Sequence, residues 1–279
     1  TVLRLISSTW LSRTSRRTSQ SQESATHIGQ ATSASTTSML LTMMPSMKNG
    51  TVKVMTREQY LTEIFNAYLL VSVLSDKNEC KVLKLKNKEH NKYIVARSFT
   101  KSISAYEELY SINCVNLPLI YDVINLDDGQ VVLEEFIEGV TIAEVMESGK
   151  YRYIGTRKVL RSVCNALTVL HERGIVHRDI KPENIMIAKD GRVVLIDLNA
   201  ARQISNASKD TVVMGTVGYA SPEQLGVTQS DARTDIYALG VLLNVMITGK
   251  HPSEKLAKGK AGRIVRKCTN VNPDERYQT

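Results

Sequence analysis

Hydrophobic periodicity changes along this chain from strand spacing to helix spacing, and this change limits the folds that the chain can adopt. Short apolar runs bounded by turn residues predict strands in the first half, at Tyr68–Leu74, Lys81–Leu85, Val123–Leu126 and Gln130–Phe136. Two long stripes with helical spacing predict helices in the second half, at Thr156–Glu172 and Asp235–Thr248. We therefore expect an α+β fold with two lobes, a small antiparallel sheet followed by a larger, mainly helical part.

Composition divides the chain near residue 50. Twenty of the first fifty residues are Ser or Thr, and no apolar periodicity persists there beyond one turn. Such a segment buries too little apolar surface to offset the entropy lost on ordering, so residues 1–50 are predicted to be a disordered leader. Residues 51–279 are predicted to form one folded domain. An organellar transit peptide, a linker and a vector-derived tail have similar compositions and stay open as alternatives for the leader.

The charge pattern argues against nucleic acid as the ligand. The chain has a net charge of +8, and residues 1–50 contribute five basic residues and one acidic residue, which is +4. The other 229 residues therefore carry 8 − 4 = +4. No basic run with interspersed aromatic residues accompanies this modest excess, so we expect no nucleic-acid partner.

Cysteine spacing and apolar run length bear on location. Cys80, Cys114, Cys164 and Cys268 form no C-x-x-C pair, which argues against a zinc site or a disulfide framework. This usage fits a reducing compartment, and we expect a cytoplasmic location. The longest apolar stretch, Ala238–Thr248, is far too short to span a bilayer, so no membrane segment is expected.

The residues most typical of catalysis lie in the second half of the chain. His177–Asn184 reads His-Arg-Asp-Ile-Lys-Pro-Glu-Asn and stands between a predicted helix and a predicted hairpin with strands Ile185–Ile187 and Val193–Ile196. Asp197–Asn199 (Asp-Leu-Asn) follows the second strand of this hairpin directly, and Gly215–Glu223 reads Gly-Thr-Val-Gly-Tyr-Ala-Ser-Pro-Glu. Because sequence, spacing and context agree, a chance polar loop is a poor explanation.

The string at His177–Asn184 resembles the catalytic loop of eukaryotic-like serine/threonine protein kinases, several of which occur in bacteria. The resemblance implies that Asp179 accepts the proton of the substrate hydroxyl and that Lys181 lies against the transferring phosphoryl group. It implies that Asn184 binds Mg²⁺. Asp197-Leu198-Asn199 resembles the Asp-Phe-Gly metal-binding motif with two substitutions, so Asp197 is expected to bind a phosphate-bridging Mg²⁺. Asn199 replaces the glycine, and asparagine adopts positive φ at modest cost.

Gly215–Glu223 resembles the segment of these kinases that faces the protein acceptor. By this resemblance, Thr216 contacts Asp179 and Lys181, and Glu223 forms a buried ion pair with Arg276. Asp235 is expected to support the backbone before Asp179.

The resemblance is weaker in the first half. These kinases have a lysine on the third strand that contacts the α- and β-phosphates and is held by a helix glutamate. Lys84 is predicted to be this lysine, with Lys86 as the alternative. For the partner we expect Glu108, with Glu107 as the alternative, on a helix predicted at Ser102–Ile112.

The adenine and phosphate contacts of the first lobe are also predicted from the resemblance. Glu135 and Ile137 lie in the hinge, whose backbone would receive adenine. The glycine-rich loop is expected between Ile64 and Leu74, yet Phe65–Leu70 contains no glycine. Without glycine, Cβ atoms keep the backbone amides away from the phosphates.

Together these observations predict a bilobal protein-kinase-like fold, with the first lobe at about 57–138 and the second at about 139–279, shortened at its C-terminal end. The predicted function is transfer of the γ-phosphate of ATP to Ser or Thr hydroxyls of a protein substrate. The predicted cofactors are ATP and Mg²⁺, with Mn²⁺ as a second possibility. The alternative is a pseudokinase that binds nucleotide or a partner for regulation.

Overall fold

The computed structural model describes residues 55–77, 79–110, 112–149, 155–204, 215–226 and 229–278. The predicted leader, residues 1–50, therefore lies outside the described residues. The chain divides into two compact units. The first, called the sheet unit, contains the described residues up to Ser102 together with Leu119–Phe136. The second, called the helical unit, contains Ile103–Pro118 and Ile137–Thr279.

The sheet unit consists of one helix and five antiparallel strands in the spatial order β1-β2-β3-β5-β4. These elements are α1 (Arg57–Ala67), β1 (Tyr68–Lys77), β2 (Cys80–Asn87), β3 (Tyr93–Phe99), β4 (Ile120–Leu126) and β5 (Gly129–Glu135). Helix α1 begins at a capping box, in which the side chains of Thr56 and Gln59 bond to each other's backbone N–H groups. This exchange satisfies two of the N–H groups that a helix start leaves unpaired.

One face of the sheet packs against α1 and forms the core of this unit. The contributing side chains alternate along the central strands, as the period of two in a strand requires. The core contains Leu83, Leu85, Ile94, Ala96, Val131 and Leu133 from the strands and Tyr60 and Ile64 from α1. Each of these strand residues is at most 2% exposed, and burying one large aliphatic side chain contributes about 1.5–3 kcal/mol.

The predicted strands are confirmed with shifted ends. Strand β1 continues through the predicted turn at residues 75–78 as far as Lys77, because it stays paired with β2 up to Lys77 opposite Cys80. The helix predicted at Ser102–Ile112 is confirmed as the shorter α2 (Ser104–Leu109), which belongs to the helical unit.

Two elements of the sheet unit were not predicted, and one of them changes the strand count. Helix α1 and strand β3 both interleave polar and apolar residues without a clear single period. With β3 in place, Lys84 lies on the second strand, and the expectation that it occupies the third strand is wrong. The third strand carries Arg97 instead.

The helical unit contains four α-helices besides α2, two small sheets and several turns among its described residues. Its elements are β6 (Gly139–Thr141), α3 (Ile142–Glu147), α4 (Thr156–His171), β7 (Ile175–Val176), β8 (Ile185–Ala188), β9 (Val193–Leu195), β10 (Arg202–Gln203), α5 (Ala232–Thr248) and α6 (Gly259–Cys268). Strands β6, β8 and β9 form one small sheet, and β7 pairs with β10. The predicted α+β class is confirmed.

Helix α5 is the buried helix of this unit. Asp231 caps its start by accepting from the backbone N–H of Arg233, and Gly249 ends it in the left-handed conformation at φ 68°. Asn244 is buried in its middle, where its amide donates to the carbonyls of Lys250 and Lys255. Such complete bonding is what makes a buried amide tolerable. Among the described residues, no helix has the length and apolar character needed to cross a membrane.

Gly240 brings α5 close to the end of α6. A Cβ atom built on Gly240 would lie 2.4 Å from Cβ of Cys268 and 3.1 Å from Cγ2 of Thr269. The first distance is too short for two carbon atoms, so the helices are in contact through a position that only glycine fits.

We expect Gly240→Ala to destabilise the protein although alanine is the better helix former. Helix propensity alone would favour alanine by about 1 kcal/mol. The forced separation of α5 from α6 costs about 1–3 kcal/mol, which outweighs that gain. Urea unfolding measures the difference, with Asn165→Ala on the exposed face of α4 as a control in which propensity acts alone. A Gly240→Ala variant more stable than the wild type would contradict this packing.

Candidate active site

Asp235 in the first turn of α5 organises the loop that carries Asp179. Its fully buried carboxylate accepts the backbone N–H of Arg178 at 2.8 Å and that of His177 at 2.9 Å. The ring nitrogen Nε2 of His171 lies 2.8 Å from the same carboxylate. These partners compensate the burial of a charged group, which would otherwise be costly. The predicted support of this backbone by Asp235 agrees with the geometry.

The loop needs this support because its backbone is strained. Arg178 has φ 66°, a conformation that costs a non-glycine residue about 1–3 kcal/mol. Further bonds fix the same residue: its Nε donates to the carbonyl of Ala200 at 2.8 Å, and its own carbonyl accepts from Nε2 of Gln224 at 2.7 Å. Because Asp179 is the next residue, these bonds to the strained Arg178 also fix the backbone position from which the Asp179 side chain extends.

The carboxylate of Asp179 binds three side chains. Its Oδ1 accepts from the hydroxyl of Thr216 at 2.7 Å. Its Oδ2 lies 2.8 Å from Nζ of Lys181 and accepts from Nδ2 of Asn184 at 2.9 Å. Lys181 also donates to the Thr216 hydroxyl at 2.7 Å. The structure thus brings together Asp179, Lys181 and Asn184, and it shows the contacts of Thr216 with Asp179 and Lys181 that the family resemblance implied.

These contacts determine the charge of Asp179. Burial by itself would raise the pKa of Asp179, but hydrogen bonds from Lys181, Thr216 and Asn184 and the positive charge of Lys181 outweigh it. The net result is a pKa below the ordinary aspartate value. Because bonds to the charged form favour ionisation, Asp179 is a carboxylate at neutral pH.

Asn184 and Asp197 lie at the same end of the β8–β9 hairpin. Ile185 pairs with Leu195 at the start of β8, and the backbone N–H of Ile196 donates to the carbonyl of Asn184 at 2.9 Å. Asp197 is the next residue along the chain. The register therefore explains why residues thirteen positions apart in the sequence are neighbours.

The two residues provide the donor atoms that a hard divalent cation prefers. An amide oxygen and a carboxylate suit Mg²⁺, which is commonly held by one or two protein groups together with water and substrate phosphates. Asp197 has φ 70°, so the positive φ expected at Asn199 lies two residues earlier in the motif. Leu198 is buried, as an apolar substitute for phenylalanine should be.

The predicted hinge residues belong to different units. Glu135 ends β5, and its backbone N–H donates to the carbonyl of Leu119 at 2.8 Å. That N–H is therefore engaged inside the sheet unit. Ile137 is buried in the helical unit, where it packs with Ala188 and Val194.

The predicted lysine and glutamate partners contact other groups. Nζ of Lys84 lies 4.0 Å from the ring centroid of Phe136 and 4.5 Å from that of Tyr93, which is cation–π geometry. Glu108 accepts from Nε2 of Gln203 at 3.5 Å. The pairing of Lys84 with Glu108 stays a prediction, as do the alternatives Lys86 and Glu107.

The expected position of the glycine-rich loop is wrong. Phe65–Ala67 ends α1, and the following residues up to Leu70 belong to β1. Strand β1 ends at Lys77 and β2 begins at Cys80, and neither of the two residues between them in the sequence, Asn78 and Glu79, is a glycine. The described residues thus provide no glycine-rich cradle for phosphates between the first two strands.

Sequence reasoning missed a buried ion pair on β3 and β5. Nε of Arg97 lies 2.6 Å from Oε1 of Glu134, and the two side chains are 8% and 5% exposed. The signal was the run Ile94-Val95-Ala96-Arg97, in which three aliphatic residues precede a cation, as in the expected Val-Ala-Ile-Lys motif, but the cation is arginine.

A second buried ion pair joins Glu223 to Arg276, as predicted. The guanidinium donates to both carboxylate oxygens, at 2.6 and 2.8 Å. Arg276 also donates to the carbonyl of Asn270 at 2.7 Å. The pair ties the segment after Thr216 to the C-terminal part of the described chain.

Comparison with known proteins gives consistent matches. The profile of the family described as "Protein kinase domain" matches residues 70–278. The probable serine/threonine-protein kinase CPE1738 of Clostridium perfringens is 31% identical over 240 residues, which cover 77% of this chain and 33% of that protein. The serine/threonine-protein kinase PknL of Mycobacterium tuberculosis is 42% identical over 121 residues, covering 42% of this chain and 30% of that protein.

A third relative, the probable serine/threonine-protein kinase CA_C1728 of Clostridium acetobutylicum, is 34% identical over 175 residues. That match covers 62% of this chain and 26% of the relative. The chain therefore spans about a third or less of the length of these three curated relatives.

We expect Glu223→Gln to cost about 3–5 kcal/mol at pH 7, because it leaves the Arg276 charge buried and unpaired. Burial would raise the pKa of Glu223, but the bonds and charge of Arg276 lower it overall. A depressed pKa contributes stability above the unfolded value of about 4.3, and this stability is lost as the pH falls through the folded value.

The difference between wild type and Glu223→Gln should therefore shrink below about pH 4, as urea unfolding across pH will reveal. Glu254→Gln is the matched control, because it breaks an exposed ion pair of 3.4 Å with Lys250. Such pairs contribute about 0–1 kcal/mol. Equal stability of Glu223→Gln and wild type at pH 7 would refute this assignment.

Proposed function

We propose that this chain, which belongs to the protein kinase family, transfers the γ-phosphoryl group of ATP to serine or threonine hydroxyls of a protein substrate. The observation that carries the proposal is the contact of the Asp179 carboxylate with Lys181, Thr216 and Asn184. Members of this family use ATP and a divalent metal, and the relatives named as serine/threonine-protein kinases support the acceptor class.

Asp179 is the proposed proton acceptor. Its depressed pKa keeps it ionised at neutral pH, so it can orient the acceptor hydroxyl through a charge-assisted hydrogen bond. A weak base suits this reaction, because phosphoryl transfer depends mainly on position and charge stabilisation, with little covalent work for the protein. The proton passes from the hydroxyl oxygen to a carboxylate oxygen of Asp179. That hydroxyl oxygen bonds to the γ-phosphorus of ATP, while the bond from the γ-phosphorus to the bridging oxygen breaks and ADP leaves.

Lys181 is the proposed contact for the transferring phosphoryl group. Its Nζ lies near both Asp179 and Thr216, so the ammonium is held beside the carboxylate without a further partner having to order it. A fixed cation at this place stabilises the negative charge on the phosphoryl oxygens during transfer. Thr216 positions both side chains, because its hydroxyl donates to one and accepts from the other.

Asn184 and Asp197 are the proposed metal ligands. A bound Mg²⁺, or Mn²⁺ in its place, neutralises charge on the phosphates and orients them. The amide of Asn184 donates through Nδ2 to Asp179, which orients the amide group and links the metal ligand to the proton acceptor. This link supports assigning both roles to one site.

The remaining cofactor contacts are proposed from the sequence. Glu135 and Ile137 are the proposed backbone contacts for adenine, since they stand at the end of β5 and just after it. Lys84 with Glu108 stays the sequence-based proposal for phosphate contact. The protein acceptor is proposed to bind near Gly215–Glu223.

The predicted extent and location remain proposals as well. We assign residues 51–279 to the kinase domain. The described cysteines are free thiols, which agrees with a reducing compartment such as the cytoplasm.

Asp179→Asn should lower transfer of labelled γ-phosphate from Mg-ATP to a generic Ser/Thr protein by about 10²–10⁴-fold, the usual contribution of a general base. Binding of ATP should persist. Asp190→Asn is the control, because Asp190 is exposed in the β8–β9 turn and pairs with Arg192. Normal transfer by Asp179→Asn would overturn the proposal, and ATP binding by a wild type that transfers nothing would favour the pseudokinase alternative.

Thr216→Ala should lower kcat by about tenfold or more, because a hydrogen bond to a charged group contributes about 1.5–3 kcal/mol. Thr216→Ser keeps the hydroxyl and should retain most of the activity. Steady-state kinetics on the same acceptor measure both variants. Equal kcat for Thr216→Ala and wild type would show that Thr216 positions neither Asp179 nor Lys181.

A further inference from the structure

One short stretch of the helical unit carries more positive charge than the whole folded part of the chain has in excess. Between Glu254 and Asp274 the sequence contains six basic residues and no acidic residue. Residues 51–279 have a net charge of +4, so the remainder of that range carries 4 − 6 = −2. The six residues, here called the basic segment, are all exposed: Lys255, Lys258, Lys260, Arg263, Arg266 and Lys267.

Helix α6 presents part of the basic segment as a stripe. Lys260, Arg263 and Lys267 are three and four residues apart, which places them on one side of the helix. Within the described part of the chain, no carboxylate pairs with Arg263 or Lys267. Val265 and Cys268 are buried, and Cys268 packs against α5. The fold thus uses the apolar side of α6, whereas a helix that lies on a membrane keeps that side for the lipid.

The start of α6 has the opposite charge to the one that stabilises a helix start. Lys258 occupies the N-cap position without a side-chain capping bond, and Lys260 lies in the first turn, which contains no acidic residue. The helix dipole favours negative charge there, and a capping side chain normally accepts a backbone N–H. Like charges three and four residues apart also repel each other. Local stability therefore does not explain this arrangement, and such departures are typical of functional sites.

Helix α5 holds the loop that carries Lys255 in one conformation. The buried amide of Asn244 donates to the carbonyls of Lys250 and Lys255. Its Oδ1 accepts from the backbone N–H of Ala257 at 2.8 Å. The backbone N–H of Lys255 donates to the carbonyl of His251 at 3.0 Å, which closes one helical turn. Because the backbone is already ordered, a partner that binds these lysines loses less free energy to ordering the loop.

His251 connects this loop to the proposed acceptor segment. Its Nε2 lies 3.0 Å from the carbonyl oxygen of Gly218, two residues after Thr216. Thr216 in turn donates to the carboxylate of Asp179. The side chain of Val217, between Thr216 and Gly218, is 97% exposed, so this segment is accessible to a protein acceptor. The basic segment therefore begins one helical turn away from a residue that contacts the acceptor segment.

We propose that the basic segment binds an acidic stretch of the protein substrate, so that the chain selects acceptors with glutamate or aspartate near the Ser or Thr. This inference rests on the proposed function and names its substrate class. Carboxylates complement the exposed ammonium and guanidinium groups in charge, and such complementarity raises both the encounter rate and the specificity. The contact of His251 with Gly218 favours a protein substrate over a lipid surface or a nucleic acid, because it places the charge beside the acceptor segment.

The distance along these contacts limits where the acidic residues stand in the substrate. Thr216 and Lys255 are separated by two residues, one side-chain contact and one helical turn. Their Cα atoms are therefore at most about 25 Å apart, which an extended peptide spans with about seven residues. A longer acidic stretch can continue along α6, whose ten residues add about 15 Å. These charges do not touch the transferring group, so the preference should act on KM and not on kcat.

The test compares phosphorylation of two peptides by the full chain with Mg-ATP. Each peptide has a single threonine flanked on both sides, from about three to seven positions away, by glutamate in one peptide and by glutamine in the other. We expect kcat/KM to be about tenfold higher for the glutamate peptide, because each exposed ion pair contributes about fivefold or less. The preference should disappear in 1 M NaCl, where the screening length is about 3 Å.

Two double variants assign the preference to the basic segment. Lys255→Gln/Lys258→Gln should raise KM for the glutamate peptide about fivefold or more. Lys255→Glu/Lys258→Glu should reverse the preference towards a peptide with lysine at the same positions, which a merely structural role would not do. Lys92→Gln/Lys101→Gln is the matched control, because it removes two exposed lysines of the sheet unit and should leave the preference unchanged.

The outcomes distinguish this inference from the proposed function. Equal kcat/KM for the two peptides in an active wild type overturns the inference alone, as does a preference that survives Lys255→Gln/Lys258→Gln. Binding of the basic segment to phosphatidylserine vesicles or to single-stranded DNA, without a preference between the peptides, also overturns it. If the wild type phosphorylates neither peptide, the proposed function fails, and fluorescence anisotropy of the labelled peptides decides: selective binding of the glutamate peptide that Lys255→Gln/Lys258→Gln abolishes supports an acidic partner, and equal or absent binding overturns both proposals.

Discussion

The buried carboxylate of Asp235 is the constraint on which the proposed site depends. It accepts the backbone N–H groups of His177 and Arg178 and so stabilises a residue with positive φ. Without that acceptor, the strained loop would relax and two buried N–H groups would lose their partner, at about 1–3 kcal/mol each. Asp235 on α5 therefore sets the position of Asp179. The contact of Lys181 with the Asp179 carboxylate depends on that position.

Much of the helical unit could be predicted because its signals are local. The stripe of α4, the cap at Gly249 and the string at His177–Asn184 each lie within one stretch of sequence. The hairpin register that makes neighbours of Asn184 and Asp197 follows from a short turn between two apolar strands. The contact of Thr216 with Asp179 joins residues 37 positions apart and came only from the family resemblance.

The sheet unit was harder to predict because its signals conflict. Strand β3 is buried on both faces, so it shows no alternation, and Arg97 interrupts its apolar run. Because β3 was not predicted from the sequence, Lys84 was expected on the third strand, whereas it lies on the second. The pairing of Arg97 with Glu134 is a product of strand order, since β3 lies beside β5 and not β4. No pattern within either strand indicates that neighbour.

The most direct test of this account is phosphoryl transfer by Asp235→Asn. Asparagine has nearly the same shape as aspartate, but its side-chain NH₂ group donates hydrogen bonds at a position where the backbone N–H groups of the loop need an acceptor. The account predicts a loss in kcat of at least about a hundredfold, because small misplacement of a catalytic group is enough for that. The thermal unfolding transition should remain cooperative. Wild-type kcat in a folded Asp235→Asn protein would contradict the claim that this anchor sets the position of Asp179.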